Sequence, residues 1–242
     1  MTKKIFKFMV VAAAVLSIAS CKKDNPVELT DATVTFRKYN GGFYMKQDDS
    51  TALVATNITT YPYPKFAEKR GRVIYFDRKV SKTSIPGYKY TYDVSVNRYD
   101  STMTKLPVAS LGSHELDKEK YGDGEIGIYL TGVFPPSMVE DGYLSISFAF
   151  RGSGLNTHIM NLVTGADKDD PYVVYLHHDI NGDERRDFEF NGMMAFPLAM
   201  LPDTGGKKVK LTLKWNSLMT GKEESTQFDY CSRKDWPDLK LL

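Results

Sequence analysis

Apolar and polar residues alternate one by one along much of this chain. In residues 88–96 the even-numbered positions are apolar or aromatic and the odd-numbered positions are polar. The same alternation recurs in residues 143–150 and 209–216. Because successive side chains of a β-strand point to opposite faces, each segment is predicted to be a strand with one buried face.

Further short segments with strand character are separated by turn residues. They are residues 34–38, 53–55, 72–76, 125–133, 155–163, 172–178 and 194–200. Helical spacing is scarce, and only residues 113–120 are predicted to form a short helix, with Ser113 as its N-cap. Many strands with hardly any helix between them predict an all-β chain of antiparallel sheets, closed as barrels or packed as sandwiches.

The N-terminal segment has the pattern of a secretory signal. Lys3, Lys4 and Lys7 precede the apolar run 8–18, and the small residues Ala19 and Ser20 follow it. The run is too short to span a bilayer, which needs about 20 apolar residues. Residues 1–20 are therefore predicted to be a removable signal peptide.

Cys21 stands directly after this signal, and the segment that ends in Ala19-Ser20-Cys21 resembles a bacterial lipobox. We predict lipidation at Cys21, with residues 21–30 as a lipidated tether, because two or more acyl chains hold a protein durably on a membrane. Lys22 occupies the position where an aspartate would resemble the signal for inner-membrane retention. The expected location is therefore the outer membrane, with its periplasmic and outer faces both open.

Charge and cysteine content narrow the function classes. Loss of Lys3, Lys4 and Lys7 with the signal lowers the formal net charge from +2 to −1, so the mature chain lacks the basic stripe of a nucleic-acid binder.

Cys21 and Cys231 are the only cysteines, so a lipidated Cys21 leaves Cys231 without a partner in the chain. The mature length suits one large or two small domains, and the charged stretch 111–124 is the expected boundary.

Several segments resemble the NigD-like family of lipoproteins from Bacteroidetes-type bacteria. Four segments resemble its C-terminal domain: GYLSISF (142–148), THIMNLV (157–163), LHHDINGD (176–183) and MAFPL (194–198). Upstream, RGRVIY (70–75), YDVSVN (92–97) and LPV (106–108) resemble its N-terminal domain. One departure is the pair His178-Asp179, where the family has histidine and asparagine.

The resemblance implies a small OB-like barrel at residues 31–112, followed by an antiparallel β-sandwich at residues 121–242. It implies no activity, because none of the matched segments is catalytic and the family has no assigned biochemical role. A fold of this kind hosts many ligands, so function has to be argued from a site.

The chain offers one weak candidate for a metal site, the acidic segment that contains Asp179, Asn181, Asp183 and Asp187. Oxygen ligands at alternate positions are typical of a calcium loop, but Gly182 is at the fourth position instead of the sixth, and Phe190 replaces the closing glutamate. The alternative is a hairpin in which Asn181-Gly182 forms a type I′ turn with its flanking acids in solvent. The turn is favoured, and no metal or other cofactor is predicted.

Histidine and cysteine chemistry is also limited. His158 and His178 are on segments that could be neighbouring strands, and His177 faces the side opposite His178, but a third zinc ligand is lacking. Histidines that bond the backbone or Asp179 are favoured. Gly152-Ser153-Gly154 is interpreted as a hairpin turn and not as a nucleophile elbow. Cys231 is interpreted as a lone small hydrophobic residue.

Two hypotheses of function remain. The first is a non-catalytic envelope lipoprotein, held to the membrane by its lipid anchor, that binds an envelope protein or glycan and no nucleic acid. Tyr61, Tyr63 and Trp236 would be its contact residues, although packing is favoured for each, as it is for the row Tyr88, Tyr90 and Tyr92. The alternative is a hydrolase of envelope glycans or peptides that uses a histidine or a carboxylate pair.

Overall fold

The computed structural model describes residues 27–132 and 135–242 of the 242-residue chain. The predicted signal peptide at residues 1–20 and the predicted lipidation site at Cys21 lie outside the described residues. Within the described residues, no helix combines the length and the apolar composition that crossing a bilayer requires.

A closed five-stranded barrel forms the first part of the fold. Its strands are β1 (Thr30–Tyr39), β2 (Gly42–Lys46), β3 (Thr51–Ala55), β4 (Glu68–Val80) and β5 (Tyr90–Ser101). They pair in the order β1-β2-β3-β5-β4, and β4 closes the barrel on β1. Asn40 and Gly41, with φ angles of 46° and 78°, make the tight turn between β1 and β2, as the Asn-Gly pair of a two-residue hairpin loop requires.

The barrel is filled by side chains from alternate positions of its strands. Val34 and Phe36 of β1, Val73 and Tyr75 of β4, and Val94 of β5 are all buried in one cluster. This confirms the predicted strands at 34–38, 53–55 and 72–76. The period of two places one apolar face inside the barrel and the other face outside it.

Two sheets packed face to face form the second part. Their strands are β6 (Met103–Thr104), β7 (Val108–Ala109), β8 (Gly127–Ile128), β9 (Met138–Glu140), β10 (Tyr143–Gly152), β11 (Ile159–Thr164), β12 (Val173–Asp179), β13 (Phe188–Pro197), β14 (Val209–Asn216) and β15 (Glu223–Tyr230). One sheet has the order β6-β13-β10-β8 with β9 on β10, and the other has the order β15-β14-β12-β11-β7. Leu144, Ile146, Leu211 and Leu213 are among the residues fully buried between them.

Helix α1 (His114–Tyr121) lies against β11 and β12. The Ser113 side chain accepts the backbone N–H of Leu116 at 3.3 Å, which confirms its predicted role as N-cap. A short 3₁₀ helix, Leu239–Leu241, lies near the C-terminus.

The structure confirms the predicted class, an all-β chain with a small OB-like barrel followed by a β-sandwich. Most strand pairs are antiparallel, but β3–β5 in the barrel and the pairs β12–β14, β11–β7 and β13–β6 run parallel. The chain passes through β13, in the opposite sheet, between β12 and β14. That passage lets β14 return beside β12 in the same direction.

Several strand predictions differ from the structure at their ends. Of segment 125–133 the structure describes residues 125–132, and among these the strand β8 is only two residues long. Residues 155–158 precede β11 instead of belonging to it. Strands β2 and β15 have no counterpart among the predictions. Phe43, Tyr44 and Met45 of β2 are all buried, so they do not alternate, and β15 is a polar edge strand.

The row of tyrosines on β5 is only partly a core face. Val94 and Val96 are buried and Tyr92 is partly buried against the barrel core, whereas Tyr90 is 43% exposed. Packing of Tyr90 is therefore a wrong prediction. Tyr90 is the first residue of β5 and pairs with Thr51, the first residue of β3, so it lies at the end of the barrel.

Strands β6 and β7 pair with sandwich strands, although the predicted first domain extends to residue 112. The last barrel strand ends at Ser101. The domain extents 31–112 and 121–242 stay predictions.

Candidate functional site

The acidic segment at residues 179–187 begins with a tight turn. Asn181 and Gly182 have φ angles of 49° and 75°, which confirms the left-handed pair of a type I′ turn. The Asp179 carboxylate accepts the Asn181 N–H at 2.7 Å. The hairpin is a wrong prediction, because β12 and β13 belong to different sheets and this turn carries the chain from one sheet to the other.

The four weak calcium candidates do not share a centre. Asp183 turns inward and accepts both the N–H and the hydroxyl of Ser153 at 2.7 Å, whereas Asp187 pairs with Arg185. Asn181 accepts the Asn156 amide through its backbone carbonyl at 2.9 Å. In residues 27–132 and 135–242, no group of three or more His, Cys, Asp or Glu residues is placed to hold a metal ion.

Asp183 is the main departure from the predicted turn, in which the flanking acids lie in solvent. Its side chain is 2% exposed and faces His158. His158 Nε2 lies 3.3 Å from Asp183 Oδ2, and His158 Nδ1 lies 2.8 Å from His178 Nε2. His178 Nδ1 lies 3.0 Å from the Glu125 carbonyl oxygen, and the Phe150 ring stacks on His158 at 4.3 Å. These contacts form a chain from Asp183 to the backbone, called the histidine relay below.

The contacts of the histidine relay indicate the tautomer of His178. A carbonyl oxygen only accepts, so His178 must carry a proton on Nδ1. Burial lowers the pKa of His178, so its Nε2 is bare and accepts from His158 Nδ1. Hydrogen bonds from the Ser153 hydroxyl and N–H lower the pKa of Asp183 to about 2, so the carboxylate beside His158 is ionised at pH 7. The relay therefore ends on a buried carboxylate that accepts from Ser153.

His177 lies on the opposite face of β12, under helix α1. Its Nδ1 bonds the Gly122 carbonyl oxygen at 2.8 Å, and burial lowers the pKa of His177. Backbone partners for His177 and His178 confirm the favoured interpretation of these residues. Asp179, the alternative partner, accepts the Asn181 N–H, and the carboxylate beside His158 belongs to Asp183.

We expect His177 and His178 to be neutral at pH 7, with the proton on Nδ1, because each Nδ1 faces a carbonyl oxygen and burial disfavours the charged ring. Long-range ¹H–¹⁵N spectra of the imidazoles report the tautomer directly. His114 bonds neither the Gly122 nor the Glu125 carbonyl oxygen, so its spectrum serves as the internal reference for the other two rings. A proton on Nε2 of His178 would contradict the order of donors in the histidine relay.

Ser153 and Cys231, the two nucleophile candidates, have different surroundings. The Ser153 hydroxyl donates to Asp183, and the turn that holds it joins β10 and β11, which lie in different sheets, so its interpretation as a hairpin turn is wrong. Cys231 is exposed, which corrects its interpretation as a lone hydrophobic residue. It directly follows Tyr230, the last buried residue of β15.

The three aromatic residues weighed as contact residues are packed instead. Tyr61 is 8% exposed in the barrel core, and Tyr63 lies edge-on to Phe36 at 5.2 Å. Trp236 lies edge-on to Tyr143 at 5.1 Å. The favoured alternative, packing, is confirmed for all three.

A second polar cluster joins the barrel to the sandwich. The Tyr143 hydroxyl of β10 donates to Glu68 of β4 at 2.6 Å, and Arg233 donates to both Glu68 carboxylate oxygens at 2.6 and 2.7 Å. Arg70 of β4 is fully buried and donates to Ser145 at 3.3 Å and to Glu140 at 3.2 Å. Bidentate arginine–carboxylate pairs fix orientation as well as distance, so these contacts hold the two parts in one arrangement.

Asp141 is the centre of this junction. Its side chain is 1% exposed, and it lies 2.8 Å from both Arg37 and Lys46 and 3.7 Å from Arg233. Burial alone would raise the pKa of Asp141, but Arg233, Arg37 and Lys46 together hold it below its usual range. One buried carboxylate thus balances cations from both parts of the molecule.

A cleft of about 560 Å³ runs along the junction, lined among others by Lys46, Asp48, Asp141, Lys208, Arg233 and Asp235. Sequence reasoning did not identify Glu68, Arg70, Asp141, Tyr143 or Arg233. The one available signal was the run Glu68-Lys69-Arg70 at the start of a strand, where charges are unusual unless they are paired.

Changing Tyr143 to phenylalanine is expected to lower the free energy of unfolding by about 1–3 kcal/mol, because the buried Glu68 carboxylate loses a donor. The same change at the exposed Tyr90 is the matched control and should be close to neutral. Chemical denaturation of both variants makes the comparison. Equal effects would show that the Tyr143 hydroxyl adds nothing to the junction.

The fold and the junction define a class of protein, an OB-like barrel fixed to a β-sandwich by buried ion pairs. The model of the NigD-like C-terminal beta sandwich domain matches residues 108–230, so the chain belongs to the NigD-like family. No functionally curated protein has a significantly similar sequence.

Solved structures share the architecture at low sequence identity. A protein described as toxin-related from Parabacteroides distasonis is 23% identical, with a TM-score of 0.64 over 85% of this chain and 94% of that one. A NigD-like immunity protein from Bacteroides caccae is 16% identical, with a TM-score of 0.54 over 85% and 99%. A protein described as a lipoprotein from Bacteroides fragilis is 13% identical, with a TM-score of 0.53 over 86% and 100%. At these identities the likeness establishes the fold alone.

Proposed function

We propose that this protein is a non-catalytic lipoprotein of the outer membrane that binds an envelope protein or glycan. Its anchor would be the acylated Cys21, and the segment up to residue 30 would tether the barrel to the bilayer. Such a tether of about nine residues reaches at most about 30 Å. The descriptions of similar structures as an immunity protein and a lipoprotein agree with a binding role at the envelope.

The proposal rests on one observation: the buried titratable side chains bond one another or the backbone. In the histidine relay, every hydrogen-bonding atom of His158 and His178 contacts another group of the relay or a backbone carbonyl. In the junction, Glu68 and Asp141 are bound by arginines and a lysine. A general acid or base has to reach the substrate's proton, and these groups reach one another instead.

The hydrolase alternative has one observation in its favour. His178 and Asp183 line a cavity of about 290 Å³ beside Arg151 and Arg185, and the pKa values of both residues are lowered. The order of hydrogen bonds weighs against catalysis. Ser153 donates to Asp183 and not to a histidine, and a carboxylate with a pKa of about 2 is a weak base for activating a hydroxyl.

The experiment is co-purification from solubilised native membranes, with tagged wild-type protein and a tagged C21S variant processed in parallel. The proposal predicts a protein or polysaccharide that is retained by the wild type and recovered chemically unchanged. Hydrolysis of envelope glycans or peptides by the wild type, abolished in a folded H158Q variant, would establish the alternative. A folded H158N variant tests a second time whether such hydrolysis depends on His158.

A further inference from the structure

Residues 78–92 comprise the end of β4, the connection to β5 and the start of β5, and are called the basic loop below. The segment contains three tyrosines and no aspartate or glutamate, and its four cations are Arg78, Lys79, Lys82 and Lys89. Without residues 1–20, the predicted signal peptide, the chain carries a formal net charge of −1. Positive charge is therefore concentrated here against a nearly neutral background.

The four cations of the basic loop are exposed, and in the described part of the chain none of them pairs with a carboxylate. The arginines of the junction behave differently. Arg37, Arg70 and Arg233 are largely buried, and each lies within 3.4 Å of an acid. A cluster of unpaired charges of one sign raises the local concentration of oppositely charged ligands.

Two tyrosines of the basic loop form a surface beside these cations. Tyr90 and Tyr92 point to the same side of β5, and their rings are nearly parallel, with centroids 6.4 Å apart. The Arg78 guanidinium lies 3.8 Å from the Tyr92 ring centroid, and Lys89 Nζ lies 4.9 Å from that of Tyr90. Val80 pairs with Tyr92 on the neighbouring strand and is 80% exposed. The surface thus combines aromatic rings, an apolar side chain and cations.

A β-bulge precedes this surface. The pairing of β4 with β5 shifts register between Phe76 and Lys79, and Asp77 within the shift has a φ of 56°. A bulge of this kind redirects the side chains of the strand, and here Arg78 is the residue that stacks on Tyr92. A left-handed conformation at a non-glycine residue costs free energy, so the surrounding structure has to maintain it.

The basic loop is also fixed to the barrel. Ile85 is 4% exposed and packs in a cluster with Tyr44 and Ala52, and its N–H donates to the Thr91 hydroxyl at 3.2 Å. The Tyr44 and Tyr88 hydroxyl groups are 3.4 Å apart. A ligand would therefore meet cations on an anchored loop and would not have to order the backbone itself.

We propose that the basic loop binds an acidic polysaccharide, a chain of sugar rings that carry carboxylates. This inference rests on the proposed binding function and names its ligand class. Sugar rings have apolar faces that stack on flat aromatic side chains, and Tyr90 and Tyr92 would provide that surface. The carboxylates of the chain would pair with the arginine and lysines of the loop. A nucleic acid would need a basic groove that continues beyond the loop, and the net charge of the mature chain weighs against it.

The test is calorimetric titration of the processed protein in detergent with two carboxylated chains, oligogalacturonate and hyaluronate. A neutral dextran of similar length and an oligodeoxythymidylate are titrated in parallel. We expect saturable binding of a carboxylated chain that weakens as salt is added. The K82E/K89E variant should bind about tenfold more weakly, and Y90A should also bind more weakly.

Two variants are matched controls. K207E/K208E reverses two exposed lysines of the sandwich, and F188A removes an exposed aromatic ring there, so both should bind as the wild type does. Failure of both carboxylated chains to bind would overturn the inference, as would equal affinity in K82E/K89E and K207E/K208E. Tighter binding of oligodeoxythymidylate would overturn it as well. If co-purification still recovers a partner in those cases, only the ligand class is wrong and the proposed function stands.

Discussion

Replacing Asp141 by asparagine is expected to lower the free energy of unfolding by about 3–5 kcal/mol, the cost of breaking a buried ion pair from one side. Asparagine keeps the size of the side chain and tolerates the left-handed backbone at this position, where φ is 53°. The change therefore removes charge and little else. Arg37, Lys46 and Arg233 would be left facing a neutral amide in a largely buried site.

The matched control is D229N, since Asp229 pairs with Lys210 at 2.6 Å but is 59% exposed. Exposed pairs contribute about 0–1 kcal/mol, so this variant should be close to neutral. Urea denaturation at pH 7 measures both. If D141N lowers the free energy of unfolding no more than D229N does, the ion pairs of Asp141 do not hold the barrel to the sandwich.

The difference in free energy of unfolding between the wild type and D141N should depend on pH. Because the pKa of folded Asp141 is held below that of the unfolded chain, its stabilising contribution is present above the unfolded value of about 3.9. It is lost as the pH falls through the folded value. The difference between wild type and D141N should be constant from about pH 6 to 8 and shrink below about pH 4.

Replacing Cys21 by serine is expected to abolish acylation completely, because the thiol is the group that would be lipidated. Each buried methylene contributes about 0.8 kcal/mol to membrane binding, so the loss of two or more acyl chains removes nearly all of the anchoring free energy. Growth with an alkyne-bearing fatty acid, followed by coupling of a fluorophore, reads out the label on the purified protein.

The control is C231S, which changes the other cysteine of the chain, an exposed residue at the end of β15. C231S should keep the full label, and wild-type protein should be found in the outer-membrane fraction. A fatty-acid label that persists in C21S, or that is lost in C231S, would show that the anchor is not where the sequence predicts it.

The local alternation of apolar and polar residues was sufficient to predict the strands that have one buried face. Leu144, Ile146 and Phe148 of β10 lie in the sandwich core, as their alternation predicts. The opposite face of β10 is polar in sequence, yet Tyr143 and Ser145 are fully buried as well. They contact Glu68 and Arg70 of the barrel, more than 70 residues away along the chain, and no local pattern encodes such a contact.

The acidic turn shows the same division between local and distant information. Asn181 and Gly182 set the turn type through their own backbone preferences, so it could be predicted from two residues. The direction of Asp183 is decided by Ser153 and His158, which approach only when the two sheets pack. The histidine relay therefore could not be read from the spacing of the acidic residues.

The junction also bears on how the protein would bind. Because Arg233 and Asp141 connect the two parts through buried ion pairs, the barrel and the sandwich present their surfaces at a fixed separation. A partner that contacts both parts would lose less conformational entropy than one that binds two freely moving domains. A rigid presentation of this kind suits recognition of an extended ligand.

The most direct test of the account is a mass balance on membrane-anchored wild-type protein incubated with isolated envelope material. Bound and free components are separated, and both are analysed by mass spectrometry against a sample without protein. The account predicts that a protein or glycan is retained in proportion to the amount of protein and is recovered intact. Accumulation of cleaved glycan or peptide in excess of the protein present, and its loss in folded H158Q, would contradict it.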